Sequence, residues 1–122
     1  MNKELVNKIK DKSIFLRYKN KNVLITGGLG FLGSNIANQL IKFGAKITIL
    51  DCKLENSGFN LFNIKDIKKK INIIYGDVRK IQDVIKSIKK QNYIFHLASQ
   101  NDHILGQKEP NLDFNINVLG TL

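Results

Sequence analysis

Val23-Leu24-Ile25-Thr26-Gly27-Gly28-Leu29-Gly30-Phe31-Leu32-Gly33 reads as a buried strand that breaks at evenly spaced glycines and runs straight into a helix. Strand, glycine turn and helix, in that order, are what a dinucleotide-binding turn needs. Gly27 lets the chain leave the strand in a turn that a side chain would crowd. Gly30 has no Cβ, so the backbone there can approach a pyrophosphate, and Gly33 lets the helix pack closely on the strand. The helix N-terminus adds unpaired N–H groups and partial positive charge where the phosphates would sit. A plain glycine turn between a strand and a helix would look the same over so short a stretch, so the flanking sequence decides.

Working outward, Asn22 to Thr26 forms the first strand and Phe31 to about Phe43 the helix, with Ile36, Ala37, Leu40 and Ile41 at the spacing of one buried face. Gly44 closes the helix as a left-handed cap. A second strand, Lys46 to Leu50, ends at Asp51. Polar residues from Lys53 to Asn63 read as a loop, followed by a short helix through Ile64, Ile67 and Lys68. A third strand covers Ile71 to Tyr75, a helix Ile81 to Gln91 with the stripe Ile81, Val84, Ile85 and Ile88, and a fourth strand Tyr93 to Ala98. Ser99 to Glu109 has no apolar period and reads as a loop. Pro110 suits the first turn of a last helix through Leu112, Phe114 and Val118. Alternating strands and helices predict an α/β fold, a doubly wound parallel sheet with helices on both faces. Upstream, Asn2 to about Leu16 reads as a short helix with Leu5, Ile9 and Leu16 near one stripe. Residues 1–21 are thus an N-terminal helical arm, and residues 22–122 the nucleotide-binding domain. The arm either packs on that domain or makes a subunit contact, which leaves a homodimer open.

A chain of 122 residues suffices for one domain with a modest core. No apolar run is long enough to cross a bilayer, so no membrane partner is expected. The start, Met1-Asn2-Lys3-Glu4, lacks the apolar centre of a signal peptide, and the single cysteine, Cys52, cannot form an internal disulfide. A cytoplasmic location follows as the default. The net charge of +10 would suit a nucleic-acid partner. Against that, the lysines are scattered apart from Lys68-Lys69-Lys70, the arginines are Arg17 and Arg79, and no aromatic residues are interleaved for base stacking. Solvated lysines are the expectation, and no nucleic acid.

Asp51 ends the strand after the glycine turn, where a carboxylate can accept from both hydroxyls of the adenosine ribose. It would repel a 2′-phosphate, which favours NAD over NADP, although Lys53 lies close by. Asp77 follows the third strand, where its carboxylate can accept from the adenine amino group or cap the next helix, while Val78 packs on the ring. His96 has apolar strand neighbours and is expected to be buried and hydrogen-bonded, not a base. His103 has no Cys or His at metal-ligand spacing, so no metal site is expected.

Taken together, Thr26-Gly27-Gly28-Leu29-Gly30-Phe31-Leu32-Gly33-Ser34, Asp51, Gly76-Asp77-Val78-Arg79, Phe95-His96-Leu97-Ala98-Ser99-Gln100 and Asn117-Val118-Leu119-Gly120-Thr121 resemble the extended short-chain dehydrogenase/reductase superfamily. More narrowly they resemble its NAD-dependent sugar-nucleotide epimerases and dehydratases. The resemblance covers about Asn22 to Leu122 and implies a Rossmann-type domain, here its N-terminal portion. It implies that Gly27, Gly30, Phe31, Leu32 and Gly33 hold the pyrophosphate and Asp51 the ribose. Asp77 and Val78 would frame adenine, and Leu97, Ala98 and Ser99 would line the path to the nicotinamide. Asn117 would support the central helix near the active site. The implied activity is transient hydride transfer on a nucleotide-activated sugar, with NAD taking the hydride and returning it. Gln100, with Asp113-Phe114 ahead of Ile116-Asn117, looks most like nucleotide-sugar epimerases, including the CDP-sugar 2-epimerase branch. Cys52 stands where the family usually has Asn, and Ile116 where it often has Thr or Asn. The family's Tyr-x-x-x-Lys is absent, because Asn22, Arg79 and Leu97 stand four residues after the tyrosines Tyr18, Tyr75 and Tyr93. No catalytic residue is therefore assigned. The expectation is the N-terminal portion of a longer enzyme, inactive by itself, with the alternative of a stand-alone NAD-binding or interaction module.

Overall fold

The computed structural model describes residues 12–53 and 58–122. The first helical turns expected between Asn2 and Asp11 lie outside the described residues. In chain order the elements are α1 (Lys12–Tyr18), β1 (Asn22–Thr26), α2 (Phe31–Lys42), β2 (Lys46–Asp51), 3-10 turns at Leu61–Ile64 and Lys68–Lys70, β3 (Asn72–Tyr75), α3 (Ile81–Ile88), β4 (Tyr93–His96), α4 (His103–Lys108), α5 (Pro110–Phe114) and a π-helical turn, Asn115–Leu119. The strands form one sheet in the order β3-β2-β1-β4, every pair parallel. Such an order makes the chain step outward from β1 to β3 and then return to the other side of β1. The switch point lies between β1 and β4, and in open parallel sheets ligands bind outside the carboxyl ends of the strands at that point.

One face of the sheet carries the core. Val23 and Ile25 of β1 and Ile47 and Ile49 of β2 alternate onto it, and Ala37 and Leu40 of α2 close over them with Ile64 and Ile67 from the 3-10 connection. Fully burying an aliphatic side chain contributes about 1.5–3 kcal/mol, so this face supplies most of the hydrophobic stabilisation. Gly44 ends α2 with φ +76, as its position after the last apolar residue predicts. The end of α1 packs on the domain through Tyr18, whose ring stands 5.2 Å from that of Tyr93 and 6.4 Å from that of Phe95.

On the second face, Leu24 and Leu50 are buried, but α3 covers less than its apolar stripe predicts. Ser87 is its buried residue, while Ile81, Ile85 and Ile88 stay 65%, 46% and 41% exposed. Four strands offer too narrow an apolar surface for the whole stripe. β4 is an edge strand here, and Ile94 on it is 54% exposed. Two further expectations change. The stretch read as a loop contains α4, whose N-cap Asp102 accepts from Ile104 N at 2.8 Å and Leu105 N at 3.0 Å. The last helix does not run on as one α-helix but widens into the π turn after Phe114.

Parallel strands all begin at the same edge, and that gathers charge. Lys19 and Lys21 precede β1, Lys42 and Lys46 bracket the entry to β2, Lys68, Lys69 and Lys70 precede β3, and Lys89 and Lys90 precede β4. All are exposed. Scattered in sequence, they converge on the amino edge of the sheet. Among the described residues no helix is long and apolar enough to cross a membrane.

Candidate functional site at the carboxyl edge of the sheet

The glycine turn leaves β1 at the switch point. Gly27 has φ +65, a backbone conformation that favours glycine. A Cβ built on it would stand 2.8 Å from Ala98 N and from Leu97 O, so the turn lies directly against the segment leaving β4. At Gly33 a Cβ would meet Gly27 O at 2.4 Å and Gly28 Cα at 2.6 Å, and at Gly28 it would meet the Ile49 side chain at 2.7 Å. The protein's own packing requires these three glycines. Gly30 differs. It is the N-cap of α2 with an ordinary extended backbone, φ −75 and ψ 179, and a Cβ there would meet nothing nearer than Gly27 O at 3.4 Å. Among the described residues, no neighbouring part of the chain requires a glycine at that spot. The room beside it lies at the N-terminus of α2, where an anion is favoured. Phe31 and Leu32 follow in the first turn with side chains 77% and 65% exposed.

Asp51 stands behind the turn and is 9% exposed. Its Oδ2 accepts from Leu29 N at 2.8 Å, so part of the carboxylate is committed to holding the turn. Burial raises its pKa, opposed by the hydrogen bonds from the Leu29 and Cys52 amides. Leu29 is tied on its other side too, since its carbonyl accepts from Asn60 N at 3.2 Å and Asn63 Nδ2 at 3.3 Å. Those contacts join the turn to a loop that carried no motif in the sequence.

Asp77 lies past β3 but is not the cap of α3, because that N-cap is Lys80. Its carboxylate accepts from Arg79 N at 2.9 Å and from the Arg79 guanidinium through Nε and Nη2. The hydrogen bonds from the Arg79 side chain hold its pKa below the ordinary carboxylate value, against the opposing effect of burial. Asp83 instead accepts from Asp77 N at 2.9 Å. Two open hollows flank this residue. One of about 370 Å³ is lined by Asp77, Arg79, Lys80, Asn115 and Leu119, and one of about 280 Å³ runs from Cys52 and Lys53 past Tyr75 to Asp77 and Asp83. Neither includes a residue of the glycine turn. The Lys53 ammonium sits 4.2 Å from the Tyr75 ring centroid, a cation–π contact at the end of β3. Val78 is half-buried beside the same turn and lies 3.0 Å from a Cβ built on Gly120.

The sequence reading assigned no contact to Thr26. Its Oγ1 lies 3.0 Å from Leu97 N, 3.1 Å from Ala98 N and 2.8 Å from His96 Nδ1. Thr26 thus ties the end of β1 to residues 97–99, which have no regular secondary structure. His96 is hydrogen-bonded as expected but exposed, not buried, because it lies on the edge strand. Asn117 grips Gln100 by both backbone groups, accepting from its N at 2.9 Å and donating to its O at 2.8 Å. A threonine ahead of the first glycine was the one sequence signal for this network. The strand-end positions Gly27, Asp51, Asp77 and Leu97 are brought to one edge, with Gly30, Phe31, Leu32, Gly33, Val78, Ala98 and Ser99 in the turns that follow.

Comparison with known proteins places this edge in context. The family model for the 3-beta hydroxysteroid dehydrogenase/isomerase family matches residues 24–122. CDP-paratose 2-epimerase of Salmonella typhi is 38% identical over 104 residues, covering 82% of this chain and 30% of its own length. An epimerase of Methanothermobacter thermautotrophicus superposes with a TM-score of 0.77 at 34% identity, over 87% of this chain and 31% of that one. The UDP-glucose 4-epimerase of Thermus thermophilus, solved in complex with NAD, gives a TM-score of 0.69 at 30% identity, over 81% of this chain and 30% of that one. The chain therefore spans about a third of the length of the relatives it matches.

Proposed function

The chain belongs to the extended short-chain dehydrogenase/reductase superfamily, and from that membership we propose that it is the NAD-binding N-terminal portion of a sugar-nucleotide epimerase or dehydratase. The observation that carries the reading is the contrast among the glycines. Gly27, Gly28 and Gly33 are fixed by the protein's own packing, whereas Gly30, at a helix N-terminus, has room for a Cβ, with Gly27 O in ordinary contact at 3.4 Å. A pyrophosphate needs that space, with the first amides of α2 donating to it.

In this reading the carboxyl edge does the binding and orienting. Asp51 receives a ribose hydroxyl on the lone pairs left by the Leu29 and Cys52 amides. Its charge disfavours a 2′-phosphate, and Lys53 is drawn to Tyr75. Asp77 is already gripped by Arg79, so it offers the adenine amino group the remaining capacity of its oxygens. Val78 gives the ring an apolar neighbour. Residues 97–99 form the rail along which the nicotinamide half lies. When bound, NAD would supply hydride acceptance and return, which no side chain can provide. The relatives act on nucleotide-activated sugars by name, and a nucleotide sugar is the substrate class proposed for the intact enzyme. Titration calorimetry of the 122-residue chain against NAD and NADP tests the reading. NAD should bind and NADP should bind at least about tenfold more weakly. Equal affinity for both, or none for either, would overturn it.

A further inference from the structure

We propose that His96 is a positioning residue, held as the neutral imidazole protonated at Nε2, that keeps residues 97–99 in place for the nicotinamide half of a dinucleotide. The cofactor clause rests on the reading above.

The tautomer follows from counting protons. The amides of Leu97 and Ala98 can only donate, and both point at Thr26 Oγ1, at 3.0 and 3.1 Å, with Leu97 N–H shared between that hydroxyl and Thr26 O at 3.2 Å. A hydroxyl oxygen has two lone pairs, so both are taken. Its single proton must then go to the remaining neighbour, His96 Nδ1 at 2.8 Å. Nδ1 is therefore an acceptor. At the other end Thr121 Oγ1 donates to Asn117 O at 2.8 Å, which leaves that oxygen to accept from His96 Nε2–H at 3.1 Å. Both ring nitrogens are thus assigned, with no donor facing a donor.

The consequence for residues 97–99 is mechanical. Thr26 can accept from the two amides only while its proton is directed elsewhere, and His96 Nδ1 is what takes it. The far end of the segment is clamped at Gln100 by Asn117, and Asn117 O is in turn the acceptor of the Thr121 hydroxyl. His96 therefore closes a ring of hydrogen bonds around residues whose one backbone bond to β1 is Leu97 N to Thr26 O at 3.2 Å. Gly27 lies against the same segment with no room for a Cβ. A rail held at both ends is preorganised, and binding need not order it.

The test uses the 122-residue chain. At about pH 8, the nitrogen resonances of the His96 imidazole should show the Nε2–H tautomer, and an Nδ1–H tautomer overturns the assignment. His96→Phe keeps a ring but removes the acceptor, whereas His96→Asn can return an acceptor oxygen near the Nδ1 position. With His96→Phe, affinity for NAD should fall roughly tenfold, with affinity for ADP unchanged within about twofold, because ADP does not reach the rail. His96→Asn should recover most of the loss. An equal loss for NAD and ADP makes His96 merely structural and overturns the proposal. Should His96→Phe fail to fold, Thr26→Val must give the same selective loss, and its absence refutes the pinning. A wild-type chain that binds neither ligand defeats the NAD reading and the cofactor clause with it. Amide exchange at Leu97 and Ala98, faster in His96→Phe than in wild type, then decides whether His96 pins the segment.

Discussion

Alanine at Gly30 and alanine at Gly33 should fail in opposite ways. At Gly33 the new Cβ would lie 2.4 Å from Gly27 O and 2.6 Å from Gly28 Cα, both backbone atoms that cannot swing aside. Ordinary C···O contacts run about 3.3–3.6 Å, so α2 must shift by about 1 Å relative to the turn. Overpacking of this kind costs about 3 kcal/mol, at the upper end of its usual range. A chain of 122 residues falls between the size classes and loses about 3–6 °C of melting temperature per kcal/mol, so Gly33→Ala should melt roughly 10–20 °C lower. At Gly30 the nearest atom would be 3.4 Å away, and φ −75 suits any residue. The weaker cap preference of Ala and the entropy it removes from the unfolded chain roughly cancel, to within about 0.5 kcal/mol. Gly30→Ala should therefore melt within about 5 °C of wild type and yet lose at least about tenfold in NAD affinity. Circular-dichroism melts and titration calorimetry on the same samples give both numbers. If Gly30→Ala binds NAD as tightly as wild type, the space beside Gly30 is not where the pyrophosphate sits. If Gly33→Ala melts with wild type, the packing argument for the turn is wrong.

Thr26→Val should cost about 1 kcal/mol in denaturant unfolding because the Ala98 amide loses its acceptor while Leu97 N keeps the Thr26 carbonyl, and Thr26→Ser should cost less than half of that. The two aspartates should give pH effects of opposite sign. Asp77 has a lowered folded-state pKa, so its contribution is present above the unfolded value of 3.8 and lost as pH falls below it. The stability gap between wild type and Asp77→Asn should therefore hold above that value and shrink as the pH falls below it. Asp51 has a raised folded-state pKa, so the folded state holds its proton longer than the unfolded chain. Asp51→Asn, which keeps an acceptor for Leu29 N–H, should gain on wild type as pH rises from 3.8 through the folded value. Asp102→Ala removes the cap of α4 and should speed amide exchange at Ile104 and Leu105 about fivefold while global unfolding is unchanged.

What was legible in the sequence was local. The bounds of β1, the buried face of α2 and the left-handed Gly44 all follow from residues within one or two turns of each other. α4 escaped because a short, exposed helix has no apolar period, and its one signal was the capping Asp102. The site shows the same division. The glycines and Asp51 stand in a recognisable register, but the bond from Leu29 to Asp51 spans 22 residues and that from Thr26 to His96 spans 70. Neither is implied by any spacing. The grip of Arg79 on Asp77 joins residues two apart and is within reach of the sequence, which offers that carboxylate to the adenine or to a helix cap. His96 was expected to be buried because its neighbours are apolar, a rule that fails on an edge strand.

Among the described residues, the lysines at the amino edge set a positive pole that faces away from the glycine turn. Strands of this length put the two edges roughly 15–20 Å apart, about two screening lengths at physiological salt. A dinucleotide nearing the turn meets the local mixture of Lys53, Arg79 and Lys80 with Asp51, Asp77 and Asp83, and the net charge of +10 does little to draw it in. Capture should be slower than the overall charge suggests and nearly indifferent to ionic strength. The same polarity dictates how the molecule sits on a charged support. A sulfonate resin holds it by the lysine edge, leaving the opposite edge turned outward, so the immobilised protein keeps its nucleotide turn accessible to ligand in the flowing buffer.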